Sequence, residues 1–184
     1  DYFLIYRPKD IVSGDFYWIR QIQNHLLIAV ADCTGHGVPG AFMSMLGNAY
    51  LNEIVTYNDV TKANHVLDRL RQLIIATFKQ SGDGTITKDG MDIAFCEINL
   101  DTMMLQFAGA YNSLLVIRNN ELIIIPANKF PVGVHYKDPI PFTNNEFQLQ
   151  KGDNLYLLTD GIYDQLGGDK GIKFMYKYMK QLLL

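Results

Sequence analysis

Residues 14–21 and 26–32 each alternate with a period of two and are separated by Gln23-Asn24. Such alternation on either side of turn residues predicts an antiparallel hairpin. A two-residue loop sets Phe16 against Ala31, Tyr17 against Val30, Trp18 against Ala29 and Ile19 against Ile28. Both faces are then mainly apolar, so the hairpin is expected to be covered on both sides, with a second sheet below and helices above. Residues 2–6 read as an earlier strand limited by Pro8. Downstream the period lengthens. Pro39 suits a first helical turn, and Phe42, Met45, Leu46 and Ala49 recur at helical spacing, predicting a helix over 39–56. A second helix over 61–80 would bury Val66, Leu70, Leu73, Ile74 and Thr77 and keep Arg69 and Arg71 on or near its wet face. From Met91 the period returns to two. Strands are predicted at 91–99, 103–109, 114–118 and 121–125, with turns at Asp101-Thr102 and Asn119-Asn120. A short edge strand at 132–134 and strands at 147–149 and 154–158 follow. The helix expected over 170–184 would present Phe174, Tyr178 and Leu182 on one stripe. This order predicts an α+β fold, with antiparallel sheets and helices in layers.

Composition narrows the function classes. The chain has 184 residues, 48% of them hydrophobic and 19% charged, which fits one globular domain over 1–184. Its net charge of −3 argues against nucleic-acid binding, which needs a basic face. Cys33 and Cys96 are too few for a disulfide framework and fit a reducing, cytoplasmic setting. Apolar runs reach about six residues, far short of the roughly 20 that span a bilayer, so no membrane contact is expected. The chain opens at Asp1 and runs straight into a strand-like segment, as expected of a domain cut from a longer protein.

Three acids change the picture. Leu26-Leu-Ile-Ala-Val-Ala31 runs into Asp32, and Cys33-Thr-Gly-His36-Gly-Val-Pro39-Gly follows as a glycine-rich turn. The hairpin register sets Asp15 directly opposite Asp32. Opposed side chains lie about 4.5–5.5 Å apart at Cβ, and like charges there destabilise the pair unless a proton or a cation is shared. A longer loop would instead leave both acids fraying into solvent. Asp160, beside Gly161, begins a third strand-end turn. Hard oxygen donors without a cysteine–histidine set favour Mg2+ or Mn2+ over zinc. Two such ions can activate a water and neutralise a phosphate oxyanion. Asp32 is the best bridging candidate, and the Cys33 carbonyl is a plausible further ligand. The Cys33 thiol with His36 also invites a nucleophilic-cysteine reading, but no orienting partner is evident. His36 can serve as a general acid or as a hydrogen-bond donor that fixes the loop. Asp164 is either a supporting carboxylate or a plain loop acid, and His25, His65 and His135 show no spacing that marks a site. Asp83 to Asp89 resembles a calcium loop, but Lys88 and Ala94 stand where glycine and glutamate are needed.

Lys9-Asp-Ile-Val-Ser-Gly-Asp15-Phe-Tyr-Trp18, Asp32-Cys-Thr-Gly-His-Gly37, Phe107-Ala-Gly-Ala110, Pro131-Val-Gly133 and Leu158-Thr-Asp-Gly-Ile-Tyr-Asp164 occur in this order. Together they resemble the metal-dependent serine/threonine protein phosphatase superfamily, and more narrowly its bacterial stage II sporulation E-type branch, which regulates sigma-factor pathways. The resemblance implies an αββα four-layer sandwich with two central, mostly antiparallel sheets. It implies two Mn2+ or Mg2+ ions, a bridging water and a phosphoserine or phosphothreonine protein substrate, often of the anti-anti-sigma type. Carried over, Asp15, Asp32 and the Cys33 carbonyl hold one ion, and Asp32 and Asp160 hold the other. Such domains serve as outputs of signalling proteins, so an upstream sensor in the same chain is expected. The helices at 39–56 and 61–80 offer a surface for a switch or a homodimer. The family's late-strand acid has no counterpart before Leu184, which reads as a truncated C-terminal part. Gly109-Ala110 lacks the acid that can hold a third ion in eukaryotic relatives, and Arg7 and Lys9 do not clearly match their phosphate-binding arginine. The alternative is a truncated or degenerate phosphatase module that binds a phosphoprotein or scaffolds a sensor without catalysis.

Overall fold

The computed structural model describes every residue except 36, 58–61, 80–88, 135–139 and 170. The elements, in order, are β1 (Phe16–Ile22), β2 (His25–Cys33), α1 (Gly37–Tyr57), α2 (Ala63–Lys79), β3 (Gly90–Asn99) and β4 (Met104–Ala110). Then come β5 (Leu114–Arg118), β6 (Glu121–Ile125), β7 (Val132–Gly133), β8 (Asn145–Gln148) and β9 (Asn154–Tyr156). The chain closes with α3 (Gly161–Asp164), β10 (Leu166–Gly167), β11 (Ile172–Lys173) and α4 (Tyr176–Leu183).

The larger sheet runs β1-β2-β3-β4-β8, with β7 paired to β3, and the second sheet runs β6-β5-β9. Every pairing between these strands is antiparallel. Phe95, Ile93, Leu27 and Ala29 face α1 and α2 and form one core with Leu51, Leu67, Leu70 and Ile74. The other face of the same strands presents Ala94, Cys96, Leu105 and Phe107 to Leu114, Val116 and Ile125 of the second sheet. The fold is therefore α+β, with two antiparallel sheets stacked and α1 and α2 on the outer face of the larger one.

The local turns fall where the pattern places them. Ile22 pairs with His25 and Phe16 with Ala31, so the first hairpin has the two-residue loop Gln23-Asn24. Arg118 pairs with Glu121 around Asn119 and Asn120, whose φ values of 52° and 61° give the turn a twist that matches the strands.

Other expectations fail for identifiable reasons. Residues 2–6 form no strand; they lie exposed, and Tyr6 alone is tied down, edge-to-face on Tyr17 with its hydroxyl donating to the Asp15 carbonyl. A strand-like pattern needs a partner, and none pairs with it among the described residues. Tyr17 and Ile19 are exposed, because the second sheet stacks over β3 and β4 and not over β1. On α1 the buried hydrophobic side chains are Met43, Leu51, Ile54 and Val55, while Phe42, Met45 and Ala49 are exposed. Its apolar residues are spread around the helix, so spacing does not choose a face. Gly47 chooses it: a Cβ there would lie 2.9 Å from the Phe16 ring and 3.0 Å from Met91 Cε, so that bare side presses on the sheet. The predicted stripe of α2 is largely buried, but Arg71 is buried with it. Its guanidinium lies over the rings of Phe142 and Phe130 and donates to the Ile140 carbonyl and to Asp68. The C-terminal stripe also fails: Tyr178 and Leu182 are exposed, and Met179 is the buried residue of α4. The calcium-like loop at 83–89 falls largely outside the described residues.

Candidate metal centre

The site lies at the end of the larger sheet from which β2 departs into its glycine turn. Because Phe16 pairs with Ala31, the next positions outward bring Asp15 to Asp32. Both side chains point to the face turned toward the second sheet, the face of Ile28 and Val30. The Cys33 N–H donates to the Gly14 carbonyl at 3.3 Å. A Cβ on Gly14 would stand 2.9 Å from the Cys33 carbonyl oxygen and 3.0 Å from that of Gly35, so only glycine allows this approach. Gly35, at φ 93°, turns the chain into α1. There Gly40 again admits no Cβ, which would meet the Gly35 carbonyl oxygen at 2.5 Å.

The loop after β9 closes the site from the other side. The Thr159 hydroxyl donates to Asp15 Oδ2 at 2.7 Å, which brings neighbouring Asp160 to the hairpin acids. Asp160 heads the short helix α3, its carbonyl accepting from the Tyr163 and Asp164 N–H groups. Asp164 is held 2.6 Å from Lys173 Nζ.

A fourth acid was not anticipated. Asp92 on β3 pairs directly with Asp32 on β2. It shares the face of Ala94, Cys96 and Ile98, all buried. The available signal was a charge at the first inward position of an alternating strand whose next residues on that face, Ala94, Cys96 and Ile98, are apolar. Asp15, Asp32 and Asp92 therefore form a row across three adjacent strands, with strands about 4.8 Å apart, and Asp160 comes over the row.

Crowding of like charge away from water sets the electrostatics. Burial, then the charges of Asp15 and Asp160, a hydrogen bond with Asp15 and the charge of Asp92 push the Asp32 carboxyl up to about 7. Burial and the Asp160 charge push Asp92 up to about 6. Asp160 is raised by burial and by Asp164, while a hydrogen bond with Asp32 and the nearby Lys173 charge oppose the shift. Burial and the same Asp160 charge push Tyr163 up to about 12. The Cys33 thiol is buried, and burial together with the Asp32 charge raises its pKa further above its ordinary value. A thiolate is disfavoured there, so the nucleophilic-cysteine reading loses its physical basis.

The donor set fits hard divalent cations. All side-chain donors are carboxylates, and a cation among them would relieve the repulsion that holds protons on Asp32. Among the described residues no three His, Cys, Asp or Glu side chains converge on one point. Asp32 lies beside both Asp15 and Asp160, next to the Cys33 backbone, and His36 lies outside the described residues.

Residues 23–183 match the family model described as stage II sporulation protein E (SpoIIE). A comparison with curated proteins finds no match. Among solved structures, the SiaA-PP2C domain of Pseudomonas aeruginosa superposes with a TM-score of 0.86 at 30% identity, covering 98% of this chain and 69% of that one. The PP2C phosphatase domain of SpoIIE from Bacillus subtilis, with a fragment of its regulatory domain, gives a TM-score of 0.73 at 20% identity, covering 95% of this chain and 48% of that one. RsbX in complex with magnesium gives 0.63 at 14% identity, covering 95% and 80%. At those lower identities the likeness is one of fold. The family match, together with the SiaA domain, shows that this chain belongs to the stage II sporulation protein E family and has the fold of its PP2C-type phosphatase domains.

Proposed function

We propose that this protein is a metal-dependent phosphatase acting on phosphoserine or phosphothreonine of a regulatory protein of the anti-anti-sigma type. The observation that carries the reading is the carboxylate Asp32, crowded by Asp15 on one side and Asp160 on the other. In this reading Asp32 would serve both ions, Asp15 and the Cys33 carbonyl would complete one position, and Asp160 the other. Two Mg2+ or Mn2+ ions bound there would supply an activated water and neutralise the phosphate during in-line displacement. The chain's own part is positioning. Thr159 fixes the Asp15 carboxylate by donating to Oδ2, and the Gly14–Gly35–Gly40 contacts fix the turn that carries the Cys33 carbonyl. His36 is assigned general-acid or loop-fixing duty from its place in the turn. A His36→Gln variant separates the two: a lost general acid removes one limb of the pH–rate profile, and a loosened loop lowers metal affinity.

The wider reading places the domain in the cytoplasm as the output of a sensor-containing protein, with the helices at 39–56 and 61–80 as the surface for a switch or a homodimer. A relative solved with part of its regulatory domain supports the link to a further domain. The direct test is phosphate release from a phosphoserine protein, and from an aryl phosphate, with Mn2+. Activity should vanish on chelation and fall at least a hundredfold in Asp32→Asn. Activity that survives either change overturns the proposal. Binding of the phosphoprotein without turnover would instead favour a non-catalytic module.

A further inference from the structure

We propose that Asp92 is a fourth carboxylate of this centre, holding the water shell of the ion shared by Asp32 and Asp160. The inference rests on the metal-dependent reading above and extends it to a residue outside the sequence motifs.

Position is the first argument. Asp92 is the β3 partner of Asp32, and the register is fixed at both ends of the pair, from His25↔Asn99 to Cys33↔Met91. Just beyond it the strands are clamped. Thr34 donates through its N–H and its hydroxyl to the Gly90 carbonyl at 2.9 and 3.0 Å, and Gly90 N–H returns a bond to the Thr34 hydroxyl at 3.2 Å. On its other side Gly90 packs against Gly133 of β7, where a Cβ on Gly133 would meet the Asp89 carbonyl at 2.7 Å. Asp92 is thus held on the face of Asp32 by backbone geometry, with little freedom to swing away.

The second argument is the lack of any structural task. Several other carboxylates of the described residues have donors, among them buried Glu97, which pairs with His25. Asp153 takes both Arg118 nitrogens and the Gln150 N–H. Asp68 takes Arg71 and the Phe142 N–H, and Asp164 takes Lys173. Asp92 meets no donor and no cation among the described residues, while its nearest charges are acidic. Aspartate is also a poor strand former. Neither local structure nor packing accounts for a carboxylate here; a cation does.

Chemistry decides how it acts. Asp92 stands one strand over from Asp32, beside the proposed ligands. Mg2+ and Mn2+ retain waters, and a carboxylate one strand away is well placed to accept their hydrogen bonds. Partners of this kind typically tune metal affinity by about 10–100-fold.

The test is Mn2+ titration of the protein, with free Mn2+ counted by electron paramagnetic resonance, in wild type, Asp92→Asn and Asp164→Asn. Wild type should bind two ions. Asp92→Asn should weaken the weaker site by about tenfold or more, while Asp164→Asn, which removes the same charge from the far side of Asp160, should change it by less than about threefold. Metal-free Asp92→Asn should melt no lower than wild type, because a like charge leaves the row; if it does not fold, Asp92→Ser is read the same way. Two sites in wild type with affinity unchanged in Asp92→Asn, or lowered equally in Asp164→Asn, would overturn the role of Asp92 alone. Fewer than two sites in wild type would overturn the metal-centre reading and this inference together.

Discussion

Gly14 and Gly40 show how a missing side chain builds a site. Each faces a backbone carbonyl at a distance that no Cβ tolerates, and carbonyls of the turn after Asp32 sit against them. Gly40→Ala is expected to destabilise the protein by about 1–3 kcal/mol, the usual cost of overpacking, as read by urea unfolding. Gly14→Ala should also weaken Mn2+ binding in calorimetry, because the displaced atom is the Cys33 carbonyl oxygen. Asp32 carries a pH signature. Its carboxyl is raised from an ordinary 3.8 to about 7, so in metal-free protein the folded state keeps a proton that the unfolded chain releases. Stability is therefore lost as pH rises between those two values. At pH 8, Asp32→Asn should raise the melting temperature of the metal-free protein by several degrees, from about 1–2 kcal/mol after allowing for the solvent that reaches the group. A melting curve no higher than wild type would count against the crowding of acids described here.

At the scale of elements, Arg71 joins α2 to Phe130, Ile140 and Phe142, alongside bonds from Asn64 and Asp68 to the Phe142 backbone. Arg71 is covered by two aromatic rings and bonded to Asp68 and the Ile140 carbonyl, although charge at that helical position pointed to solvent. Arg71→Met keeps much of the volume but orphans the carbonyl, and should cost about 1–3 kcal/mol in chemical denaturation. Arg71→Lys should not restore it, since a point charge cannot stack on both rings. The same element scale explains the error on α1, where the burial of one face follows from Phe16 and Met91 reaching Gly47. It also explains the strands flanking Lys151-Gly152-Asp153, which do not pair with each other. β8 joins β4 in the larger sheet and β9 joins β5 in the second, with Arg118 bonded to Asp153 at the crossing. No local pattern distinguishes that crossing from a hairpin.

For the whole molecule, metal binding and stability should be one measurement. Free Mn2+ at a hundred times its dissociation constant should stabilise the fold by about 2.7 kcal/mol per site. The corresponding rise in melting temperature should disappear on chelation and be absent in Asp32→Asn. Among the described residues no helix is long and apolar enough to cross a membrane. Much of the site was legible because it is local. A two-residue turn fixes the β1–β2 register, and that register alone brings Asp15 to Asp32. The Asn119-Asn120 hairpin and the change of period at Met91 were legible for the same reason: turn chemistry and alternation act between neighbours in the chain. Asp160 was marked as a candidate by its glycine turn and by the resemblance, but no spacing could have placed it against the hairpin. What the sequence determined by itself was therefore the strands β1 to β6 with their turns and the pairing of acids across one hairpin. The tertiary structure decided which face of α1 is buried, that Arg71 lies inside, that Thr159 ties Asp160 to the hairpin, and that Asp92 stands beside Asp32. Each of these is a contact between segments far apart in sequence, and periodicity along one segment carries no information about which distant segment will meet it.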